Sequence, residues 1–338
     1  MPPVHARPRR RALHALAAAP LLPALGGLGA CAGARPAGQA DALAAGGRFE
    51  TMELPPSRHA APRRVVVWLP PGYDPRGEPA PVLYMHDGQN LFDPAQAFGG
   101  EPWGVQHALA ALIHRRAVPP TLVVAVWNTP LRWREYVPAE PLATLPAELL
   151  QVIAPAGSEV ADPRALALSD GYLRFLAEEL KPLVDARYRT RPQAAHTLVM
   201  GSSMGGLVSL YALIRYPQVF GAAGCVSTHW PVTTRPALLR EPGGARMTAI
   251  AQHHLDFVRR RLPPAGRHRL WFDHGTLNLD ALYAPFQQRM DAILRERGYR
   301  QGADSHSQVF DGADHNERSW RARVALPLGF LLGGRDRR

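Results

Sequence analysis

The chain predicts the α/β class: a mostly parallel central sheet with helices on both faces and an antiparallel hairpin at its N-terminal edge. Three observations carry that expectation. From about residue 49 onward, short apolar runs alternate with segments of helical periodicity, the rhythm of successive βα units. Several runs, such as Val65-Val66-Val67-Trp68-Leu69 and Leu122-Val123-Val124-Ala125-Val126, are apolar without alternation, as strands covered on both faces must be. Finally, Gly201-Ser202-Ser203-Met204-Gly205 sets a serine between two glycines directly behind an apolar run. That spacing suits a sharp strand-to-helix turn, where small flanking residues let strand and helix pass closely.

Taken in order, the first thirty residues read as a signal peptide of the lipoprotein type. Arg7, Arg9, Arg10 and Arg11 precede an Ala- and Leu-rich stretch reaching Leu28, with no acidic residue among them. Pro20 and Pro23 argue against a membrane-spanning helix, which needs about 20 well-packed apolar residues. Leu28-Gly29-Ala30-Cys31 resembles a bacterial lipobox, so Cys31 is the expected lipidation site. Export to the periplasm follows as an expectation, with a lipid anchor in the outer membrane. Arg10-Arg11-Ala12-Leu13 matches a twin-arginine signal loosely, so both export routes stay open. Residues 31–47, rich in Ala and Gly, read as a flexible tether, and 48–338 as one catalytic domain.

Within that domain the strand candidates are 49–54, 64–69, 82–86, 122–127, 197–201, 224–227, 269–274 and 307–310. The first two form the expected hairpin. Helical patterns lie between them at 103–114, 171–188, 206–216, 247–261 and 282–298. No internal repeat is evident. Of the two cysteines, Cys225 falls in an apolar strand run, where a buried thiol is inert, and lipidation of Cys31 would leave no disulfide.

The chemistry reads from the serine outward. A serine hydroxyl is a poor nucleophile until a base takes its proton and an acid orients that base. His315 lies in Asp311-Gly312-Ala313-Asp314-His315-Asn316-Glu317, between the last strand and the last helical segment, and is the expected base. Asp280 follows the strand 269–274 in a loop and is the chosen acid; Asp273, inside that strand, is the rival. The order Ser203, Asp280, His315 is that of the α/β-hydrolase fold. An oxyanion hole needs two backbone amides. That of Met204 is one, and that of Gln89, in the loop His86-Asp87-Gly88-Gln89-Asn90 after an early strand, is the other. Trp230 and His229 are candidate substrate contacts, and Arg134 and Tyr136 candidates for the entrance.

These segments resemble the esterase family of α/β-hydrolases related to esterase D, feruloyl esterase domains and enterochelin esterases. The resemblance rests on Tyr84-Met85-His86-Asp87-Gly88-Gln89-Asn90, Arg134-Glu135-Tyr136-Val137-Pro138, Gly201-Ser202-Ser203-Met204-Gly205-Gly206, Phe272-Asp273-His274-Gly275-Thr276, and Asp314-His315-Asn316-Glu317 with Trp320. It implies a serine carboxylic-ester hydrolase working through an acyl-enzyme, without cofactor, on a small-molecule or polysaccharide-linked ester. Relatives often carry an acidic residue soon after the Gly-Thr pair, whereas Leu277 and Asn278 stand here, so a serine-histidine dyad stays open beside the triad. Acyl transfer on the same fold and a catalytically silent envelope binding protein are the alternatives.

The formal net charge of +11 comes almost wholly from arginine dispersed along the chain, with Lys181 the one lysine. Nucleic-acid binding wants a clustered basic face with interleaved aromatics, and none is visible. Paired histidines such as His253-His254 lack carboxylate or cysteine partners at ligand spacing, so no metal site is expected. No glycine-rich phosphate loop occurs.

Overall fold

The computed structural model describes residues 46–153, 163–233, 235, 239–240 and 244–334, all within the compact unit Pro36–Arg338. The expected signal peptide, Cys31 and all but the last two residues of the expected tether lie outside the described residues. Eight strands form one sheet: β1 (Arg48–Thr51), β2 (Val65–Leu69), β3 (Val82–Met85), β4 (Leu122–Val126), β5 (Thr197–Ser202), β6 (Ala222–Val226), β7 (Arg269–Gly275) and β8 (Ser305–Phe310). Their spatial order is β1-β2-β4-β3-β5-β6-β7-β8. β1 pairs antiparallel with β2, as expected, and β2 is also antiparallel to β4; all other pairs are parallel.

Two apolar layers explain why the strand runs are continuous. Val65, Val67 and Leu69 face one core, while Val66 and Trp68 face the other. Tyr84 and Val124 against Leu83, Met85, Val123 and Ala125 repeat the division, as the two-residue strand period requires. Helices cover both faces: α1 (Val105–His114), α2 (Ser169–Arg174), α3 (Lys181–Arg187), α4 (Met204–Arg215), α5 (Ala245–Arg261), α6 (Ala284–Glu296), α7 (Glu317–Arg323) and α8 (Ala325–Leu332). A π-helical stretch, Phe175–Leu180, joins α2 to α3, so the single helix expected at 171–188 is interrupted in register.

Strand order places the site. After β3 the chain adds β4 on one side and later β5 on the other, which leaves a crevice outside the carboxyl ends of β3 and β5. The register sets Met85 beside Met200, and Ser202 beside Val226. The loops after β3, β5 and β6 therefore emerge together.

Candidate active site

Ser203 stands at the junction of β5 and α4 with φ 58° and ψ −122°, a backbone region that residues bearing a Cβ seldom occupy. Hydrogen bonds hold it there: its amide donates to the Val226 carbonyl at 2.9 Å, and its own carbonyl accepts from the His229 amide at 3.1 Å. The turn needs glycine at 201, where a Cβ would stand 2.9 Å from the Gly205 backbone. The Met204 amide opens α4 at the helix's positive end, where the first N–H groups have no partner within the helix.

The loops after β7 and β8 are in direct contact. The amides of Thr276 and Leu277 both donate to the Ala313 carbonyl at 3.0 Å, and a Cβ on Gly275 would lie 2.1 Å from that oxygen. This approach brings Asp280 and His315 together: His315 Nδ1 donates to Asp280 Oδ1 at 2.6 Å, with the carboxylate wholly buried and the imidazole 13% exposed. Asp280 Oδ2 accepts from the Gly275 amide and from Ser227 Oγ, each at 2.7 Å. Burial alone would raise the Asp280 pKa, but the bonds from His315, Ser227 and Gly275 outweigh it and hold the carboxyl below its usual value. Asp273 is committed elsewhere. It accepts from Trp271 Nε1 at 2.6 Å and from Arg323 Nη2 at 2.9 Å, and burial raises its pKa despite those partners. His315 also packs edge-on against Tyr283 and Trp320, and Asn316 caps α7 by accepting from the Ser319 amide.

The family model described as "Putative esterase" matches residues 147–330, which contain Ser203, Asp280 and His315. The chain belongs to this esterase family. The enterobactin esterase of Shigella flexneri is 20% identical, with 84% of this chain and 58% of that chain covered and a TM-score of 0.55. The feruloyl esterase module of Clostridium thermocellum is 15% identical over 88% of this chain and 92% of that chain, again with a TM-score of 0.55. At those identities the likeness establishes the α/β-hydrolase fold. The uncharacterized protein YbbA of Bacillus subtilis (strain 168) is 24% identical over 172 residues, 51% of this chain. The match spans 59% of that relative's length.

Ser203 and His315 line a cleft of about 480 Å³ whose other walls include Asp87, Gln89, Asn128, Arg132, Glu317 and Trp320. Gln89 sits in a helical turn, Gly88–Asn90, launched by Asp87 in the left-handed region, and its side-chain oxygen accepts from the Asn128 amide at 3.2 Å. Sequence reading passed over Arg132 and Asn128. Arg132 makes a two-pronged ion pair with Asp87 (Nε to Oδ1 2.7 Å, Nη2 to Oδ2 2.8 Å), and Asn128 Nδ2 donates to the same carboxylate at 2.6 Å. Burial would raise the Asp87 pKa, yet Arg132 and Asn128 hold it below its usual value. The one signal for Arg132 was proximity in sequence to the segment Arg134–Pro138.

Two expectations, covering four residues, need correction. Trp230 and His229 are not on the cleft wall. Trp230 is fully buried and stacks on Phe272, and His229 is closed in on both nitrogens. Because a carbonyl only accepts, His229 Nε2 donates to Thr233 O at 2.7 Å, so Nδ1 accepts from Tyr283 Oη at 2.7 Å. Burial lowers its pKa to about 4. Arg134 and Tyr136 do not frame the entrance either: Arg134 Nε donates to the Leu166 carbonyl, and the buried Tyr136 hydroxyl accepts from the Asp87 amide. Trp230, His229 and Tyr136 are buried, packed support and not pocket lining.

Proposed function

We propose that this protein is an exported serine esterase that hydrolyses carboxylic esters through an acyl-enzyme on Ser203. The observation that carries the reading is the strained serine of a nucleophile elbow sharing one cleft with a histidine whose far nitrogen is held by a buried carboxylate at 2.6 Å. His315 Nε2 takes the Ser203 proton as Oγ attacks the ester carbonyl carbon. The amides of Met204 and Gln89 receive the developing oxyanion, and the α4 dipole adds to that stabilisation. The same imidazole then passes the proton to the departing alcohol. Water, deprotonated in turn by His315, releases the acid. Asp280 keeps the imidazole in the tautomer with hydrogen on Nδ1 and stabilises the imidazolium that forms.

The polar walls of the cleft, with Gln89, Asn90, Asn128 and Arg132, suit a small-molecule or polysaccharide-linked ester carrying hydroxyl or carbonyl groups. Localisation is proposed from the leader alone: a lipid on Cys31 tethers the enzyme to the outer membrane, facing the periplasm. A panel of p-nitrophenyl and feruloyl esters assayed on the domain tests the activity, beside the same protein carrying Ser203→Ala. Hydrolysis by the wild type alone, with fluorophosphonate attached at Ser203, is the expected result. Label on Ser202, or turnover that survives Ser203→Ala, would refute the assignment.

A further inference from the structure

We infer that Ser227 and Arg323 are positioning residues of this site: a buried guanidinium works through one serine hydroxyl to hold Asp280 as a fixed, ionised acceptor for His315. The inference rests on the esterase reading and adds to it a layer behind the acid.

The hydrogen-bond directions leave little freedom. A serine hydroxyl has one proton to give and two lone pairs to receive. Ser227 Oγ accepts from Trp320 Nε1 at 3.0 Å and from Arg323 Nη2 at 2.8 Å, and both of those groups are donors only. The serine proton therefore points at its remaining partner, Asp280 Oδ2, 2.7 Å away. With the Gly275 amide on the same oxygen, Oδ2 is taken up, and Oδ1 is turned to His315.

Arg323 cannot replace the serine. Its Nε and Nη2 are tied to Asp273 Oδ1 at 3.2 and 2.9 Å, and its Nη1 to the Ser319 carbonyl at 3.4 Å. It thus stays 3.8 Å from Asp280 Oδ2, beyond hydrogen-bond reach. Set back by one hydroxyl, the cation polarises the serine without competing with His315 for the carboxylate. Ser227 is itself held at φ 43°, its amide bonded to the Asp273 carbonyl at 2.9 Å. A side chain persists there although glycine would sit without strain, and its hydroxyl is the part the site uses.

Asp280 and His315 are faced by Arg323 from α7, Asp273 from β7, His229 and Tyr283 beside the imidazole, and Asp314 and Glu317 at the start of α7. Ser227→Ala leaves all of these in place, removes the donor on Oδ2 and takes one acceptor from Trp320 Nε1 and Arg323 Nη2. The acid then holds more charge for the imidazolium. The acid limb of the kcat/KM profile should move upward, kcat should fall about tenfold, and KM for the same ester should stay unchanged. The low-field proton resonance of His315 Nδ1 should shift as well, a measurement that needs no substrate. Arg323→Met should displace limb and resonance in the same direction, and Arg323→Lys, which keeps the cation, should restore them in large part.

A fall in kcat with the limb and the resonance both unmoved would overturn the inference, as would wild-type kinetics in Ser227→Ala. If Ser227→Ala does not fold, Ser227→Gly, which relieves the positive φ, must show the same displacements. Failure of the esterase reading looks different: wild-type protein would neither turn over esters nor take fluorophosphonate, while the Nδ1 resonance would still report on the serine.

Discussion

Replacing Asp280 with asparagine keeps the shape of the acid and exchanges one oxygen for an NH₂ group, so the outcome depends on which way the amide turns. The Oδ2 position receives two donors, Ser227 Oγ and the Gly275 amide, whereas Oδ1 receives one, His315 Nδ1. An amide with its oxygen toward His315 would set its NH₂ against both donors, leaving two buried bonds unmade. Turned the other way it loses one. Each unmade buried bond costs about 1–3 kcal/mol, so the oxygen faces Ser227 and Gly275 and the NH₂ faces His315. Facing a donor, His315 Nδ1 must accept, and its proton moves to Nε2, where it can no longer take the proton of Ser203. A preference of that size leaves roughly one molecule in ten to one in a hundred with the working tautomer. Loss of the buried charge beside the imidazolium lowers the rate further, and loss of the equivalent carboxylate charge in other triads costs about four orders of magnitude. Asp280→Asn should therefore lower kcat by at least about a hundredfold, toward about ten-thousandfold, with KM little changed. Steady-state kinetics on a p-nitrophenyl ester reads both. A kcat within about tenfold of wild type, or an effect confined to KM, would refute the reasoning and favour the serine-histidine dyad.

Asp273→Asn should act on stability instead: it strips Arg323, 4% exposed, of its carboxylate, and breaking such a buried pair costs about 3–5 kcal/mol, read as a lowered denaturant midpoint. His86, His229 and His254 are buried with pKa values lowered from 6.5 to about 4, so the unfolded chain takes up protons first as the pH falls. Stability should decline between pH 6.5 and about 4, by up to about 3 kcal/mol for each histidine; a thermal midpoint that stays flat across that window would contradict this. Arg132→Met should leave Asp87 without its cation, held by Asn128 alone among its side-chain partners, and raise KM more than it lowers kcat; the reverse pattern would give Arg132 a part in the chemistry. Cys31→Ala should shift the protein from the membrane to the soluble fraction, and a wild type already soluble with an unmodified N-terminus would end the lipoprotein proposal.

The sheet and the elbow were legible because their signals are local. A strand covered on both faces shows it in five consecutive residues, as β2 and β4 do, and Gly201 and Gly205 announce a close crossing within the turn itself. The antiparallel pairing of β2 with β4 and the π-helical stretch before α3 had no such mark, since each depends on what packs alongside. Within the site, Ser203 and His315 were named from short motifs, and both residues line the cleft. Between Asp273 and Asp280 the sequence could rank but not decide. They stand on one strand and its following loop, and what separates them is that Asp280 meets His315, 35 residues on, while Asp273 meets Arg323, 50 residues on.

His229 and Trp230 looked like pocket residues from their place after a strand, yet the fold encloses them, because the loop they begin turns inward onto Thr233 and Phe272. Ser227 carried no motif at all, and its partners Asp280 and Arg323 lie 53 and 96 residues away. By itself, then, the sequence determined the layers, the strand-to-helix turn and the candidate nucleophile and base, all set by side-chain periodicity and backbone sterics over a few residues. Which carboxylate meets His315, and which hydroxyl and cation stand behind it, only the tertiary structure decided, because hydrogen-bond direction depends on where distant segments of the chain come to rest.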